Sequence, residues 1–370
     1  MTESELRSLQ LERLNATLEM ARRSNRFYRS YLPITKLSSL AELNHLPLMD
    51  VHAFDNGIER LLCTSQSEIN RIVTLPTSGT AGAPKRIAFT PEDHEATVDF
   101  FAAGMRMLAE PKETIAVLYP CDSSGGLGQL ICEAITRADA RPVAIGIPLS
   151  FTTLATHFLD EHVRGAVGFP QHLFAFAQWC KYQNVKLPIR RVLLSADNIA
   201  TPLRRTLEHI WKAQVYGHFG MTEMGYGGAV ECDYHQGYHI RETDLICEII
   251  DPNTGETLPE GTWGELVFTT INRRAMPFIR YRTGDFTRML PGKCPCGSIL
   301  RRFDTVRGRA NENIFLKNNR QPKSSDFDSQ SFGMPELEEC LFAIPEVVDF
   351  KAIWNAQHLC LRLQVQTLSA

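Results

Sequence analysis

The sequence lacks any apolar run of about 20 residues, the length that a membrane-spanning helix requires. It also lacks the basic start and the apolar stretch of a secretory signal, since its first residues read MTESELR. We therefore expect a cytoplasmic protein that has no membrane partner.

An excess of charge of one sign is missing as well: 39 Lys and Arg residues face 42 Asp and Glu residues, which leaves a formal net charge of -3. This balance gives no indication of a nucleic-acid partner. We find no internal repeats and no sustained charge blocks, and the hydrophobic content of 44% is too high for a disordered chain. The 370 residues therefore indicate a folded protein of two or three domains.

The middle of the chain alternates short apolar runs with helical stretches. Apolar runs at 114–119 and 191–194 are followed by helical stretches at 129–138 and 202–212. This alternation predicts buried parallel strands with crossover helices, which is the α/β fold class. Before it, apolar residues at helical spacing predict one amphipathic helix over 5–31.

The pattern of apolar and turn residues in the sequence changes from residue 245 onward. Strand-like runs at 245–250 and 264–269 are separated by turn residues at 251–255. This pattern predicts an antiparallel or barrel-like piece after the α/β part. We expect this piece and the α/β part to form one large N-terminal domain over 1–306.

Residues 307–333 are mostly polar, which is typical of a linker or loop. The remainder contains a predicted helix at 335–342 and strand-like runs at 347–354 and 359–365. We therefore expect a small α+β domain over 307–370, with the polar insertion at its start.

Residues 77–85 read TSGTAGAPK and follow an apolar run. Glycines let backbone amides approach an anion closely, hydroxyls donate hydrogen bonds to phosphate oxygens, and a lysine adds a positive charge. The spacing is not that of a Walker A loop, because no Ser or Thr follows the lysine. A polar hairpin turn between two strands is the alternative. The candidate phosphate-binding residues are Thr77, Ser78, Gly79, Thr80, Gly82 and Lys85.

A second stretch, at 215–224, reads VYGHFGMTEM. An acidic group beside a phosphate loop can hold Mg²⁺, which prefers carboxylate and substrate oxygens, and Glu223 is the candidate. A solvent-exposed glutamate after a glycine-rich turn is the alternative. The other candidate residues of this stretch are Tyr216, Gly217, Phe219, Gly220 and Thr222.

Two further stretches carry candidate nucleotide contacts. Residues 278–285 read FIRYRTGD, a strand-like run that we expect to end in a Gly-Asp turn. Asp285 there is suited to accept hydrogen bonds from ribose hydroxyls, although a plain β-turn is the alternative. At the start of the linker, Arg309 is suited to contact ribose or phosphate.

In this order, the four stretches resemble the adenylate-forming superfamily. The first matches its phosphate loop with Ala81 in place of a threonine, and the second matches its Tyr-Gly-x-Thr-Glu element with Phe219 at the aromatic position. The third matches its Tyr-Arg-Thr-Gly-Asp element, and Gly308-Arg309 begins its hinge. The Glu231-Cys232 pair and the run AMPFIRYRTGD are similar to the phenylacetate-CoA ligase branch.

The resemblance implies an enzyme that activates a carboxylic acid with ATP and Mg²⁺. The acid attacks the α-phosphate, pyrophosphate leaves, and a thiol, usually that of coenzyme A, captures the acyl-adenylate. Lys85 would bind phosphate, Thr222 and Glu223 would hold the α-phosphate and Mg²⁺, Asp285 would bind the ribose, and Arg309 would be a second ribose or hinge contact. The branch favours an aryl or arylalkyl acid. A different acceptor, an ATP-binding regulatory role and a homodimer stay open.

The sequence departs from the family pattern at three places. Ser195-Ala196-Asp197 stands where the family usually has a Gly-Ala-Glu type strand end beside the adenine. Asn311 stands at the position of the hinge acid. The late Pro-Lys-x-x-x-Gly-Lys element has no counterpart after Val365, so we expect a shortened C-terminal domain and slow adenylation.

A separate cluster of residues suits a metal. Cys294, Cys296, Cys232 and His239 supply three thiolates and an imidazole, which is a tetrahedral donor set for structural Zn²⁺. We prefer His239 because Gly237-Tyr238-His239 resembles the Gly-x-His of the branch, but His235 competes for the position. A pair of buried or redox-active thiols is the alternative.

Overall fold

The computed structural model describes residues 1–34, 36–55, 57–75, 85–147, 150–309, 314–315, 331–355 and 360–368. The chain forms two compact units, each built from two stretches of sequence. Unit 1 contains Met1–Phe100 and Phe219–Arg307, and unit 2 contains Phe101–His218 and Gly308–Ala370.

The helices of the described residues come in chain order as α1 (Glu3–Ser24), α2 (Arg26–Tyr31), α3 (Pro91–Leu108), α4 (Leu127–Arg137), α5 (Phe151–Asp160), α6 (Pro170–Tyr182), α7 (Thr201–Trp211) and α8 (Met334–Leu341). Short 3-10 helices cover Leu40–His45, Val51–Phe54, Ile58–Arg60, Gln66–Glu68 and Thr222–Met224. In the part of the chain that the structure describes, none of these helices combines the length and apolarity needed to cross a membrane.

The strands come in chain order as β1 (Arg71–Leu75), β2 (Lys85–Phe89), β3 (Thr114–Val117), β4 (Arg141–Ala144), β5 (Gly165–Gly168), β6 (Arg191–Ser195), β7 (Gln214–Phe219), β8 (Ala229–Glu231), β9 (Tyr238–Ile240), β10 (Leu245–Ile250), β11 (Gly264–Thr270), β12 (Tyr281–Thr287), β13 (Arg302–Phe303), β14 (Ile314–Phe315), β15 (Ser331–Phe332), β16 (Val347–Asn355) and β17 (Cys360–Thr367).

Unit 2 contains the parallel sheet that the sequence predicts. Its strands lie in the order β4-β3-β5-β6-β7, and each neighbouring pair among them is parallel. The helices α4 to α7 follow individual strands along the chain, so the α/β fold class is confirmed. The start of α4 approaches the chain after β3 so closely that a Cβ on Gly128 would lie 2.4 Å from the carbonyl oxygen of Pro120. Only glycine fits there.

The core of unit 2 includes the start of the C-terminal segment. Phe342, just after α8, packs its ring 5.0 Å from that of Phe174 in α6 and 5.5 Å from that of Phe350 in β16. Val347 is buried in the same cluster. The predicted helix at 335–342 and the strands after it are thus present, and α8 packs on the α/β part of its own unit.

Unit 1 is built from antiparallel pairs. The strands β10, β11 and β12 form one antiparallel sheet, as the sequence after residue 245 predicts. The pairs β1–β2, β8–β9 and β9–β13 are also antiparallel. One core cluster joins side chains from α1 and α2 to this sheet, among them Leu14, Tyr28 and Phe268.

The prediction of one helix over 5–31 is wrong, because the helix breaks at Asn25. That residue has extended backbone angles, and its side chain accepts a hydrogen bond from the backbone N–H of Phe27. Asparagine favours such an N-cap because its side chain satisfies a backbone donor that has no partner inside the helix. Two helices, α1 and α2, therefore replace the single predicted one.

The division into continuous domains 1–306 and 307–370 stays a prediction. The units of the structure are interleaved in sequence, although one of their junctions falls between Arg307 and Gly308. Most of the predicted linker, 310–313 and 316–330, lies outside the described residues, and so does Asn311.

Candidate active site

The glycine-rich stretch connects two paired strands of unit 1. β1 and β2 are antiparallel, and Leu75 at the end of β1 pairs with Lys85 at the start of β2. Thr77, Ser78, Gly79, Thr80 and Gly82 lie outside the described residues, so their predicted contacts with phosphate stay predictions. The structure does describe Lys85, which stands where the connection enters β2.

The second stretch turns sharply after β7. Phe219 ends the strand, Gly220 follows, and Thr222 begins a short 3-10 helix that Gly225 closes. Gly225 adopts a left-handed φ of 75°, and its N–H donates to the carbonyl of Thr222 over 3.0 Å. A β-carbon there would be strained by this φ, so the turn depends on glycine.

The structure brings Lys85 and Glu223 together, although they are 138 positions apart in the chain. Lys85 Nζ lies 2.6 Å from Glu223 Oε1, and the hydroxyl of Tyr281 donates to the same oxygen over 3.4 Å. Glu223 is only 1% exposed, so the solvent-exposed alternative is wrong. A buried carboxylate needs such partners, because removing it from water without compensation is costly.

The backbone of Glu223 has a partner that the sequence did not reveal. Arg273 donates from Nη1 to the carbonyl oxygen of Glu223 over 3.3 Å, and it is 6% exposed. In the sequence this arginine stands in the polar run NRR between β11 and β12, which looks like an exposed loop. Its flanks contain apolar residues, Phe268 and Ile271 before it and the run AMPFI after it, and these were the signal of burial.

The third stretch does not end in a Gly-Asp turn. β12 continues through Gly284 and Asp285 to Thr287. Its pairing with β11 contains an irregularity, a β-bulge. Gly284 has a φ of 77°, which allows the strand to pass this irregularity. Asp285 is 7% exposed, and its N–H donates to the hydroxyl of Thr283 over 2.9 Å.

The remaining candidate residues of the nucleotide site belong to unit 2. Tyr216 is buried in β7, and Gly217 pairs with Leu194 of β6. Arg309 forms an isolated β-bridge and is the last residue described before 310–313. The roles of these three residues in nucleotide binding stay predictions.

Unit 2 contains a further polar pair that the sequence did not indicate. The hydroxyl of Ser195, at the end of β6, lies 2.7 Å from Nδ1 of His218 in β7. Burial lowers the pKa of His218 to about 4, so the ring is neutral at pH 7. The hydroxyl of Tyr119 donates to the carbonyl of Ser195, and the next residue, Ala196, has an uncommon φ of 73°. These contacts hold the backbone at the end of β6, where Ser195-Ala196-Asp197 stands in place of the Gly-Ala-Glu type sequence that is usual in the family.

The four candidate metal ligands also come together, all within unit 1. The donor atoms of Cys232, His239, Cys294 and Cys296 lie within 4.8 Å of one another. His235 is not in this group, and its Nδ1 lies 3.4 Å from a carboxylate oxygen of Glu231.

The distances in this cluster suit tetrahedral zinc. Cys232 Sγ lies 3.6 Å from Cys294 Sγ, and Cys296 Sγ lies 3.4 Å from His239 Nε2. Bonds of about 2.3 Å to sulfur and about 2.0 Å to nitrogen would separate two sulfurs by about 3.8 Å and sulfur from nitrogen by about 3.5 Å. His239 Nδ1 lies 3.3 Å from the carbonyl oxygen of Leu300, a partner that leaves Nε2 free to bind metal.

Sequence comparison agrees with these motifs. Residues 56–272, more than half of the chain, match the profile of the AMP-binding enzyme family. The chain belongs to the AMP-binding enzyme family. The matched range contains the glycine-rich stretch, Lys85 and Glu223, so the resemblance predicted from the motifs is confirmed.

Two curated relatives of this AMP-binding protein are phenylacetate-coenzyme A ligases. The one from Pseudomonas putida is 29% identical over 327 residues, which cover 84% of this chain and 72% of the relative. The one from Thermus thermophilus is 28% identical over 359 residues, which cover 93% of this chain and 76% of the relative.

Solved structures support the same fold. A 2-hydroxyisobutyryl-CoA ligase in the postadenylation state, in complex with 2-HIB-AMP, matches with a TM-score of 0.84 and 19% identity over 99% of this chain and 79% of that one. O-succinylbenzoate coenzyme A synthetase from Bacillus subtilis, in complex with AMP, matches with a TM-score of 0.54 and 15% identity over 80% of this chain and 60% of that one. At these identities the matches show the fold alone.

Proposed function

We propose that this protein activates a carboxylic acid as an acyl-adenylate and then transfers the acyl group to the thiol of coenzyme A. The observation that carries the proposal is the partly buried Lys85–Glu223 pair, which joins the strand after the glycine-rich stretch to the turn of the second motif. Membership of the AMP-binding enzyme family supports the first step. The phenylacetate-coenzyme A ligases among the relatives support the second step and an aryl or arylalkyl acid.

In the first step, a carboxylate oxygen of the acid attacks the α-phosphorus of ATP, and the bond to pyrophosphate breaks. Lys85 exchanges its contact with Glu223 for a phosphate oxygen and thereby supplies positive charge to the leaving group. Glu223 and Thr222 are the residues that would hold Mg²⁺, which supplies further charge neutralisation when it is bound. Asp285 would accept hydrogen bonds from the ribose.

In the second step, the sulfur of coenzyme A attacks the acyl carbonyl carbon. The bond from that carbon to the AMP oxygen breaks, AMP leaves, and the thiol proton passes to solvent. Because AMP is a good leaving group, the requirement on the protein is to position the acyl-adenylate and the thiol.

Pyrophosphate exchange over a panel of carboxylic acids tests the first step. We expect labelled pyrophosphate to enter ATP only when a suitable acid is present, with phenylacetate and related aryl acids among the best. Lys85→Ala serves as the matched negative control. ATP binding without exchange for any acid would instead favour a regulatory ATP-binding protein.

The acceptor is tested separately, with the best acid from that panel. We expect AMP release to depend on coenzyme A and an acyl thioester to accumulate in equal amount. Adenylate formation with no response to coenzyme A would contradict the second step and favour another acceptor.

We also propose that Cys232, His239, Cys294 and Cys296 bind one structural Zn²⁺. The donor set and the distances within it support this ion, and the carbonyl of Leu300 orients the imidazole. All four donors belong to protein side chains, which leaves no open position for a reacting ligand. The role of such an ion is therefore to stabilise the fold of unit 1.

A further inference from the structure

Arg273 is a buried cation close to the Lys85–Glu223 pair. Its guanidinium lies over the ring of Phe89 with its carbon 4.4 Å from the ring centre, and 5.6 Å from the ring centre of Phe278. Aromatic faces attract a cation, and they hold the flat guanidinium in one orientation.

Two hydrogen bonds from this guanidinium connect the two segments that carry the pair. Arg273 Nη2 donates to the carbonyl oxygen of Ala88 in β2 over 3.1 Å, and Nη1 donates to that of Glu223 over 3.3 Å. β2 begins with Lys85. A single planar group therefore sets the distance between the strand of the lysine and the backbone of the glutamate.

The backbone that carries Arg273 is itself anchored. The carboxylate of Asp93, near the start of α3, accepts hydrogen bonds from the backbone N–H groups of Arg274 over 2.8 Å and Ala275 over 3.1 Å. These bonds fix the position from which the long arginine side chain extends. The guanidinium can then act as a rigid spacer.

Burial of the charged Arg273 side chain is unfavourable for the stability of the fold. Burial lowers the pKa of Arg273, and the nearby Asp93 and Glu223 oppose that effect. Among the described residues, its buried Nε has no hydrogen-bond acceptor. Apolar residues often replace buried charges without loss of stability, so the retained guanidinium calls for a reason beyond packing.

We propose that Arg273 is a positioning residue that holds the turn of Glu223 at the correct distance from Lys85 for MgATP. The consequence for MgATP rests on the proposed function, but the effect on the turn does not. Lysine at position 273 would keep the charge, but it lacks the fork that reaches two carbonyl groups at once.

The first measurement compares pyrophosphate exchange in the parent and in Arg273→Lys. We expect the KM for ATP to rise at least about tenfold, as for other residues that orient a ligand-binding group, while the KM for the acid changes less than twofold. Arg241→Lys is the matched control. Arg241 is also buried, lies 5.1 Å from the ring centre of Phe100 and donates to the carbonyl of Ala96, but it does not contact Glu223 in the described structure.

A double-mutant cycle separates positioning from general destabilisation. If Arg273 acts through Glu223, Arg273→Lys should weaken MgATP binding by less than about twofold in a Glu223→Gln background. Equal losses in both backgrounds, or a KM for ATP that is unchanged in the single variant, would overturn the proposal. If Arg273→Lys does not fold, Phe89→Leu removes the supporting ring instead, and an unchanged KM for ATP there would overturn it as well.

Hydrogen exchange keeps the test independent of activity. The amides of Gly225, Tyr226 and Gly228 are hydrogen-bonded within the turn, to the carbonyls of Thr222, Met221 and Phe219. We expect them to exchange faster in Arg273→Lys than in the parent and in Arg241→Lys. If the parent shows no pyrophosphate exchange, the proposed function fails, and this measurement still decides the role of Arg273. Unchanged exchange at these amides would refute it.

Discussion

Lys85 and Glu223 form an ion pair in which the glutamate is almost fully buried. Their side chains are 20% and 2% exposed, and the glutamate also accepts from Tyr281. Binding of a polyphosphate and a cation would give each side chain a new partner of opposite charge. The pair is therefore poised to exchange partners without leaving a buried charge uncompensated.

Lys85→Ala and Glu223→Gln should each weaken MgATP binding by about 1.5–3 kcal/mol, because each removes one charge-assisted contact. Calorimetric titration with ATP and excess magnesium measures this loss. Arg86→Ala is the matched control, since the next residue of β2 is exposed and should leave binding unchanged. Parent-like affinity in both Lys85→Ala and Glu223→Gln would show that this pair does not bind the nucleotide.

At the scale of structural elements, the four candidate metal ligands come from the strand pair β8–β9 and the turn at Cys294–Gly297. Cys232 follows β8, His239 lies in β9, and Cys294 and Cys296 lie in the turn before β13. A metal ion would join three short elements. Short strands gain the most from such a link, because they bury little apolar surface.

Purified protein should contain about one zinc per chain, and Cys296→Ser should lose it. Cys296 is exposed, so the substitution removes little packing, and a lower melting temperature would report the metal. Cys340→Ser, at another exposed cysteine, is the control and should retain the ion. Metal analysis without zinc in protein prepared without chelators would contradict the assignment.

The helix α8 is held to unit 2 by a buried carboxylate. Glu338 accepts from the side-chain amides of Asn198 over 2.7 Å and Gln171 over 3.1 Å. Burial raises the pKa of Glu338 from 4.5 to about 7, the nearby Asp197 and Glu339 add to the effect, and the two amides oppose it. Both donors are neutral, so they do not replace the hydration that the carboxylate loses.

The contribution of Glu338 to stability should therefore be present at low pH and lost as the pH rises. Between pH 4.5 and about 7 the folded state binds more protons at Glu338 than the unfolded state does, so the free energy of unfolding falls with pH. The loss amounts to at most about 3.5 kcal/mol, because one pKa unit corresponds to about 1.4 kcal/mol.

Glu338→Gln, which resembles the protonated side chain, should be more stable than the parent above pH 7 and should lose this advantage near pH 5. Urea unfolding of both proteins from pH 5 to 8 measures the difference. A difference that does not depend on pH would show that Glu338 does not titrate in this range.

For the whole molecule, each unit has its own buried core, and each core draws on two separate stretches of sequence. Such an arrangement requires contacts between residues that are far apart in the chain. The match of the AMP-binding family to residues 56–272 includes parts of both units. The family profile therefore covers sequence from each of the two units.

MgATP should raise the melting temperature of the protein, because a ligand that binds only the folded state stabilises it. At 100 times the dissociation constant the gain is about 2.7 kcal/mol, which corresponds to several degrees. The shift should grow with ATP concentration and be much smaller in Lys85→Ala. A folded parent that shows no shift at millimolar MgATP would argue against an ATP site.

The sequence alone determined the fold class, the motif residues of the proposed nucleotide site and the four candidate metal ligands. These features depend on local order: apolar runs that alternate with helical stretches, a glycine-rich stretch with a lysine, and a Cys-Pro-Cys turn. Such patterns predict chemistry because residue type and spacing carry the information.

Only the tertiary structure decided which charged residues are buried and which partners they have. Arg273 and Glu338 lie in polar stretches of the sequence, although both are buried. The partners of Arg273, Glu338 and His218 lie 23 or more positions away in the chain. The turn predicted at Gly284-Asp285 was wrong for a related reason, since pairing with β11 extends the strand through it. Burial and strand pairing depend on packing between remote segments, which local sequence does not specify.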